Sequence, residues 1–313
     1  MPATTPSPST TRPILVTGPP RSGTTWVGMT LALDPSVGYL HEPFSIWTRP
    51  GISSAPFTRM FEQVDERNES AYLAPLERSM RFDYALGAQL RAVRSPRDVA
   101  RTARDLRDFR RMRRRATRPL LKDPIAVFSA EWIERRFGAD VVLTIRHPAA
   151  VAASFKRLGW APRFAFLAEQ PQLLETTLEP FADEIRRYAT APPSVLEQGA
   201  FLWRLIAHAM IGYTERHPDW LLVRQEDVSR DPVGRFEQVF AHVGLPFTPA
   251  VRATVEANSS AENPAELRSA HDIRLDSKAS LSGWRKALDD AEVEQVRRVV
   301  GETAAVFYAA DEW

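Results

Sequence analysis

Residues 14–26 constrain the fold of this chain more than any other stretch. They run Ile14-Leu15-Val16-Thr17, then Gly18-Pro19-Pro20-Arg21-Ser22-Gly23, then Thr24-Thr25-Trp26 at the head of a helical pattern that ends near Leu33. A short apolar run, a glycine-containing loop and a helix start make a phosphate cradle. The loop's N–H groups and the positive end of the helix both face the anion.

The rest of the chain supplies the sheet such a cradle needs. Short apolar runs bounded by Pro, Gly, Asp or charged residues predict strands at 14–18, 37–40, 119–122, 141–145 and 220–223. Helical periodicity fills 24–33, 70–91, 97–116, 128–137, 149–158, 194–216, 233–243 and 289–310. Strands alternating with helices predict an α/β protein with a P-loop-like three-layer fold: a central, mostly parallel sheet with helices on both faces. Ligands of such sheets bind at the carboxyl ends of the strands. Gly18, His41, Lys122 and Arg146 all follow predicted strands. The stretch of about 45–118 is too long for a plain loop and reads as a helical insertion. Residues 1–12, rich in Ser, Thr and Pro with no apolar core, read as a disordered tail rather than a signal peptide.

Composition excludes several chemistries. The chain has no cysteine, which removes disulfides, thiolate metal sites and a cysteine nucleophile. Its six histidines show no metal-ligand spacing, so no metal is expected. No run approaches the roughly 20 apolar residues of a membrane span. A cytoplasmic location fits these features.

The spacing Gly18-x4-Gly23 copies a Walker A loop, but Thr24 stands where the nucleotide-triphosphatase lysine would be, and the positive charge sits inside the loop at Arg21. Pro20-Arg21-Ser22-Gly23-Thr24-Thr25-Trp26 resembles the 5′-phosphosulfate loop of sulfotransferases that use 3′-phosphoadenosine 5′-phosphosulfate (PAPS). Residues 141–154, a buried-strand pattern ending in Arg146 followed by Pro148 and Ser154, are similar to that family's 3′-phosphate site. Val223-Arg224-Gln225-Glu226-Asp227-Val228 with Asp231-Pro232, and Trp284-Arg285, resemble two further family segments. His41-Glu42-Pro43-Phe44 resembles the bacterial and carbohydrate-type branch. The Arg-Lys-Gly that completes the 3′-phosphate site of the cytosolic enzymes has no counterpart; Lys278 occupies that neighbourhood. Length alone would suggest about two domains. The two nucleotide motifs lie about 120 residues apart and would have to meet around one ligand. This argues for a single domain over 13–313.

The resemblance implies a set of roles. Arg21 would contact the phosphosulfate oxygens and stabilise charge, because its pKa is too high for ready proton donation. Ser22, Gly23, Thr24 and Thr25 would hold the 5′-phosphate, Trp26 would stack on adenine, and Arg146 with Ser154 would grip the 3′-phosphate. Glu42 would be the general base, with His41 as the competing base. Lys122 would stabilise the bridging oxygen of the leaving 3′-phosphoadenosine 5′-phosphate (PAP), since Pro124 stands where cytosolic relatives have a catalytic histidine. The acceptor would be a hydroxyl on a carbohydrate, glycolipid or polysaccharide; a phenol or natural-product alcohol is the alternative. Two other readings of the loop are a P-loop nucleotide kinase and a silent nucleotide-binding module.

One feature lies outside the resemblance. Residues 91–118 hold twelve arginines against Asp98, Asp105 and Asp108, and Arg91, Arg94, Arg97, Arg101, Arg104, Arg107, Arg111 and Arg114 recur at helical spacing. The stripe over Arg91–Arg115 reads either as a contact for an anionic surface or as a solvated helix face. No RNA-binding or helix-turn-helix signature accompanies it, so no nucleic acid is expected.

Overall fold

The computed structural model describes residues 12–115, 118–264, 274 and 276–313. The predicted tail therefore lies outside the described residues except for Arg12. Five strands form one sheet: β1 (Ile14–Thr17), β2 (Val37–His41), β3 (Arg118–Lys122), β4 (Asp140–Ile145) and β5 (Leu221–Arg224), in the order β2-β3-β1-β4-β5. Every pairing among the described residues is parallel.

The strand sequences explain the layers. Successive side chains point to opposite faces. Ile14, Val16, Leu120 and Val142 pack on one side with Val27, Leu31, Phe236 and Phe240. Leu15, Leu121, Val141, Leu143 and Ile145 pack on the other with Trp132, Phe155 and Trp203. Both faces are apolar because both are covered, as parallel sheets require. The strand connections carry α1 (Thr24–Leu31), α2 (Leu73–Met80), α3 (Leu86–Ala92), α4 (Pro96–Arg114), α5 (Ala130–Phe137) and α6 (Pro148–Leu158). The long helix Val195–Arg216 packs on α6 and on the C-terminal helix Asp290–Val300.

The insertion departs from the expected all-helical segment. Residues 45–68 carry no helix, and the predicted helix over 70–91 is broken between α2 and α3. The break has a packing cause. Phe82 takes φ 52° and lies over Gly38 of β2, where any Cβ would meet its ring at 2.2 Å. The irregular stretch is held by side chains instead. The Ser129 hydroxyl accepts from Val64 N–H and donates to the Glu62 carbonyl, both at 2.9 Å. Gln170 accepts from Gln63 N–H and donates to the Phe61 carbonyl. In α4 only Thr102, Asp105 and Phe109 are buried, so every arginine of the stripe lies on exposed surface.

Further elements differ, among them Pro249–Ser259, a helix where none is predicted. Residues 165–190, where no helix is predicted, form the short helices Ala165–Ala168, Pro171–Glu175 and Ala182–Thr190, the first two spanning too few residues to show a period. The predicted helix to 310 ends at Val300, where Gly301 takes φ 54° and the chain tightens into a 3₁₀ turn.

Candidate active site

The loop after β1 folds as its glycines dictate. Gly18 has φ 139°, and a Cβ there would lie 2.0 Å from the Thr144 carbonyl oxygen of β4. Only glycine permits that approach. Gly23 caps α1 in the left-handed conformation with no side-chain bond, so the first N–H groups of the helix have no intrahelical acceptor and open outward. Arg21, a non-glycine residue, is held at φ 71°.

The loop borders a pocket of about 320 Å³ at the carboxyl end of the sheet. Arg21, Gly23, Thr24, Thr25 and Trp26 line it, and so do His41, Glu42, Lys122 and Arg146. Four strand ends thus converge on one cavity. Ser22 and Ser154 are not in its wall. Ser22 turns inward: its hydroxyl pairs with Thr144 Oγ1 at 2.7 Å and its N–H donates to the Pro19 carbonyl at 3.2 Å. Trp26 contributes to the wall while its ring meets Phe236 edge-on at 5.4 Å.

The two sequence-distant motifs meet at Arg21. Its Nε donates to Ser154 Oγ at 3.0 Å, and Arg146 Nη1 lies 3.5 Å from the Arg21 carbonyl oxygen. Burial and the neighbouring cations Arg146 and Arg157 lower the pKa of Arg21. Arg146 is lowered in turn by burial and by Arg157. Arg157 lies three residues after Ser154 on α6, hence on the same helix face. The expectation from sequence had not included it. Three guanidinium groups concentrated here favour an anion. Lys278 is exposed and does not line the pocket.

Across the pocket, Lys122 Nζ donates to Glu42 Oε1 at 2.5 Å. Lys122 runs buried beneath α1, and Gly28 makes room: a Cβ there would stand 3.0 Å from Lys122 Cγ. Glu42 itself takes φ 49°, and its carbonyl accepts from Ser45 N–H and from Thr48 Oγ1. A non-glycine residue in the left-handed region costs energy, and such residues gather at functional sites. His41 Nε2 is 3.9 Å from Glu42 Oε1, and its Nδ1 is 3.4 Å from the Tyr39 hydroxyl. Asp123 is fully buried. It accepts from Phe44 N–H at 2.7 Å and from Ile125 N–H at 2.9 Å, tying the Glu42 loop to the end of β3. Burial and the nearby Glu42 charge push its carboxyl up to about 7.

One residue in each of two motifs braces the fold. Glu226 is buried, accepts from His147 N–H at 2.8 Å and from Tyr308 O–H at 3.1 Å, and so ties the segment after β5 to the Arg146 turn. Trp284 stacks on His147 at 4.9 Å. Sequence reasoning also missed part of the wall: Trp47, Met60, Ile125, Leu158, Trp160 and Gln225 line the pocket. Apart from Gln225, which lies in the Val223–Val228 segment, these are apolar side chains without a motif signature, brought in from irregular loops and helix ends. No cluster able to hold a metal ion occurs among the described residues.

The mouse carbohydrate sulfotransferase 3 is 26% identical over 200 residues, spanning 61% of this chain and 35% of that protein. Among solved structures, the sulfotransferase domain of the Synechococcus PCC 7002 olefin synthase covers 95% of this chain and 97% of its own, at 18% identity and a TM-score of 0.47. The sulfotransferase STF9 of Mycobacterium avium covers 96% of this chain and 78% of its own, at 17% identity and a TM-score of 0.45. A profile described as "Sulfotransferase family" matches residues 13–249, from β1 through every strand end that borders the pocket. With that match over three-quarters of its length, the chain belongs to the sulfotransferase family.

Proposed function

We propose that this protein transfers a sulfuryl group from PAPS to a hydroxyl of a carbohydrate or glycolipid acceptor. The observation that carries the reading is the bond from Arg21 to Ser154 across 133 residues of chain, with Arg146 beside it. It brings the cations of both predicted phosphate motifs to one end of the sheet. The likeness to a carbohydrate sulfotransferase supports the sugar hydroxyl.

The residues present suit the donor. The uncapped start of α1 and the hydroxyls of Thr24 and Thr25 offer donors for the 5′-phosphate. Arg146 in the pocket wall, with Ser154 and Arg157 close to Arg21, would take the 3′-phosphate, a group ATP lacks. Bound there, PAPS would supply the activated sulfuryl group and a phosphate leaving group. Arg21 stabilises charge on the moving group, as a cation that keeps its proton. Lys122 stabilises the bridging oxygen and can yield a proton. Glu42 accepts the proton of the acceptor hydroxyl, and Lys122 fixes its carboxylate in place. Holding acceptor and donor in line supplies much of the rate, as in phosphoryl transfer.

Calorimetry with PAP, ADP and adenosine 5′-phosphosulfate tests the reading. PAP is expected to bind more tightly than ADP. Arg146→Ala keeps the backbone carbonyl that accepts from Trp203 Nε1 at 2.8 Å. It should weaken PAP tenfold or more, since charge-assisted bonds contribute roughly 1.5–3 kcal/mol, and leave adenosine 5′-phosphosulfate nearly unaffected. Equal losses for both ligands would remove Arg146 from the 3′-phosphate, and tighter ADP binding would favour a kinase.

A further inference from the structure

A second cavity of about 310 Å³ opens beside the first. The two share Trp47, Met60 and Trp160 in their walls and so adjoin as neighbouring chambers. Their chemistry differs sharply. The first carries cations, a carboxylate, a histidine, threonines and an amide among its apolar side chains. The second is walled by Phe61, Phe164, Phe166, Leu167 and Leu202 together with the shared aromatic residues. Its lining includes no carboxylate, amide or hydroxyl side chain. Its single charge, Arg163, is exposed, with its guanidinium 5.9 Å from the Phe166 ring.

The chamber is built rather than accidental. One wall comes from the irregular insertion around Met60 and Phe61. The other comes from residues 159–167, directly after α6. The walls are clipped together by Arg59 with Glu169 at 3.1 Å and by the Gln170 side-chain amide, whose oxygen accepts from Gln63 N–H and whose nitrogen donates to the Phe61 carbonyl. Trp47 and Leu158, both in the wall of the first chamber, remain 67% and 54% exposed. Large apolar side chains left open at a ligand pocket fit an apolar ligand surface.

We propose that the second chamber seats the apolar body of an amphiphilic acceptor, an alcohol whose hydroxyl-bearing head reaches Glu42 while an alkyl chain or fused ring fills the chamber. This rests on the sulfotransferase reading given above and narrows its acceptor to a lipid-like glycoside or alcohol over a free sugar or polysaccharide. The reason is desolvation. Sugar hydroxyls in the second chamber would lose water and meet no side-chain acceptor, whereas methylenes gain by leaving water.

Calorimetric titration of glucose and of methyl, butyl, hexyl and octyl β-D-glucosides tests the proposal, each below its micellar concentration, on the protein with and without saturating PAP. Affinity should rise roughly fourfold per buried methylene until the chamber is full, so octyl glucoside should bind at least fiftyfold tighter than methyl glucoside. Phe166→Ala and, independently, Ala161→Glu should flatten that rise while leaving PAP affinity unchanged, because neither residue lines the first chamber. Ala161 is exposed, so its variant keeps the test readable if Phe166→Ala misfolds. A flat chain-length series with normal PAP binding overturns the proposal and leaves the donor reading standing. A steep series that both variants retain overturns it too. A steep series that the variants flatten, in a protein that fails to bind PAP, upholds the chamber and overturns the donor reading.

Discussion

At the scale of single residues, the pocket turns on Glu42. Its left-handed backbone and its 2.5 Å bond to Lys122 fix one carboxylate at the end of β2, in the same pocket as the loop after β1. The motif His41-Glu42-Pro43 marked both candidate bases, and sequence reasoning could not choose between them. The structure places His41 half-buried, beside Tyr39 and 3.9 Å from the carboxylate it would assist. Glu42→Gln keeps the shape and much of the hydrogen bonding but accepts no proton. We expect kcat to fall roughly 10²–10⁴-fold with PAP affinity nearly unchanged, and His41→Asn to be the milder change. Steady-state kinetics with labelled PAPS would read both, and a silent Glu42→Gln with an inactive His41→Asn would exchange their roles. Lys122 was recognisable as a strand-end cation. Its partner was not, because 80 residues separate it from Glu42 and only the β2–β3 register, His41 opposite Lys122, brings them together.

Among the elements, α4 shows how an arginine-rich helix is held. Its periodicity over 97–116 was readable, and the helix runs Pro96–Arg114 with Ser95 accepting from Asp98 N–H. The aspartates looked like internal offsets to the arginine stripe. Asp105 instead faces inward and takes both arms of Arg49, at 2.6 and 2.8 Å, pinning α4 to the irregular insertion. Sequence spacing had no means of showing this, since residue 49 lies in a stretch without periodicity. Asp105→Ala should therefore destabilise the protein by roughly 1.5–3 kcal/mol, the range for charge-assisted bonds. Arg104→Ala, on the exposed face, should stay within about 0.5 kcal/mol of the parent. Urea denaturation of the two variants decides the matter: equal effects would mean that Asp105 carries no special weight.

For the whole molecule, the C-terminal region closes back on the 3′-phosphate motif through His147. The ring is buried, stacked on Trp284 and edged by Tyr308 and Trp313, and neither ring nitrogen has a hydrogen-bond partner among the described residues. Burial and nearby Arg285 lower its pKa to about 3. A folded-state value below the unfolded value of 6.5 means that the unfolded chain binds the extra proton. Stability should thus be whole above pH 6.5 and decline as pH falls toward 3, by up to about 1.4 kcal/mol per pH unit. His147→Phe keeps the stack and removes the proton, so its urea midpoint at pH 5 should exceed that of the parent, and its profile should flatten. An unchanged slope would assign the acid sensitivity to other groups. The sequence alone determined the strands, the parallel α/β architecture and the glycine turns of the loop after β1. These are local patterns: apolar runs, glycines at forced backbone angles and cations at strand ends keep their meaning whatever surrounds them. Only the tertiary structure decided that Arg21 bonds Ser154, that Ser22 faces inward, that Glu226 and Trp284 brace a turn, and that an apolar chamber adjoins the reaction pocket. Those facts depend on which distant segments touch, and contact across tens of residues is set by the register and packing of the sheet, which no short stretch of sequence encodes.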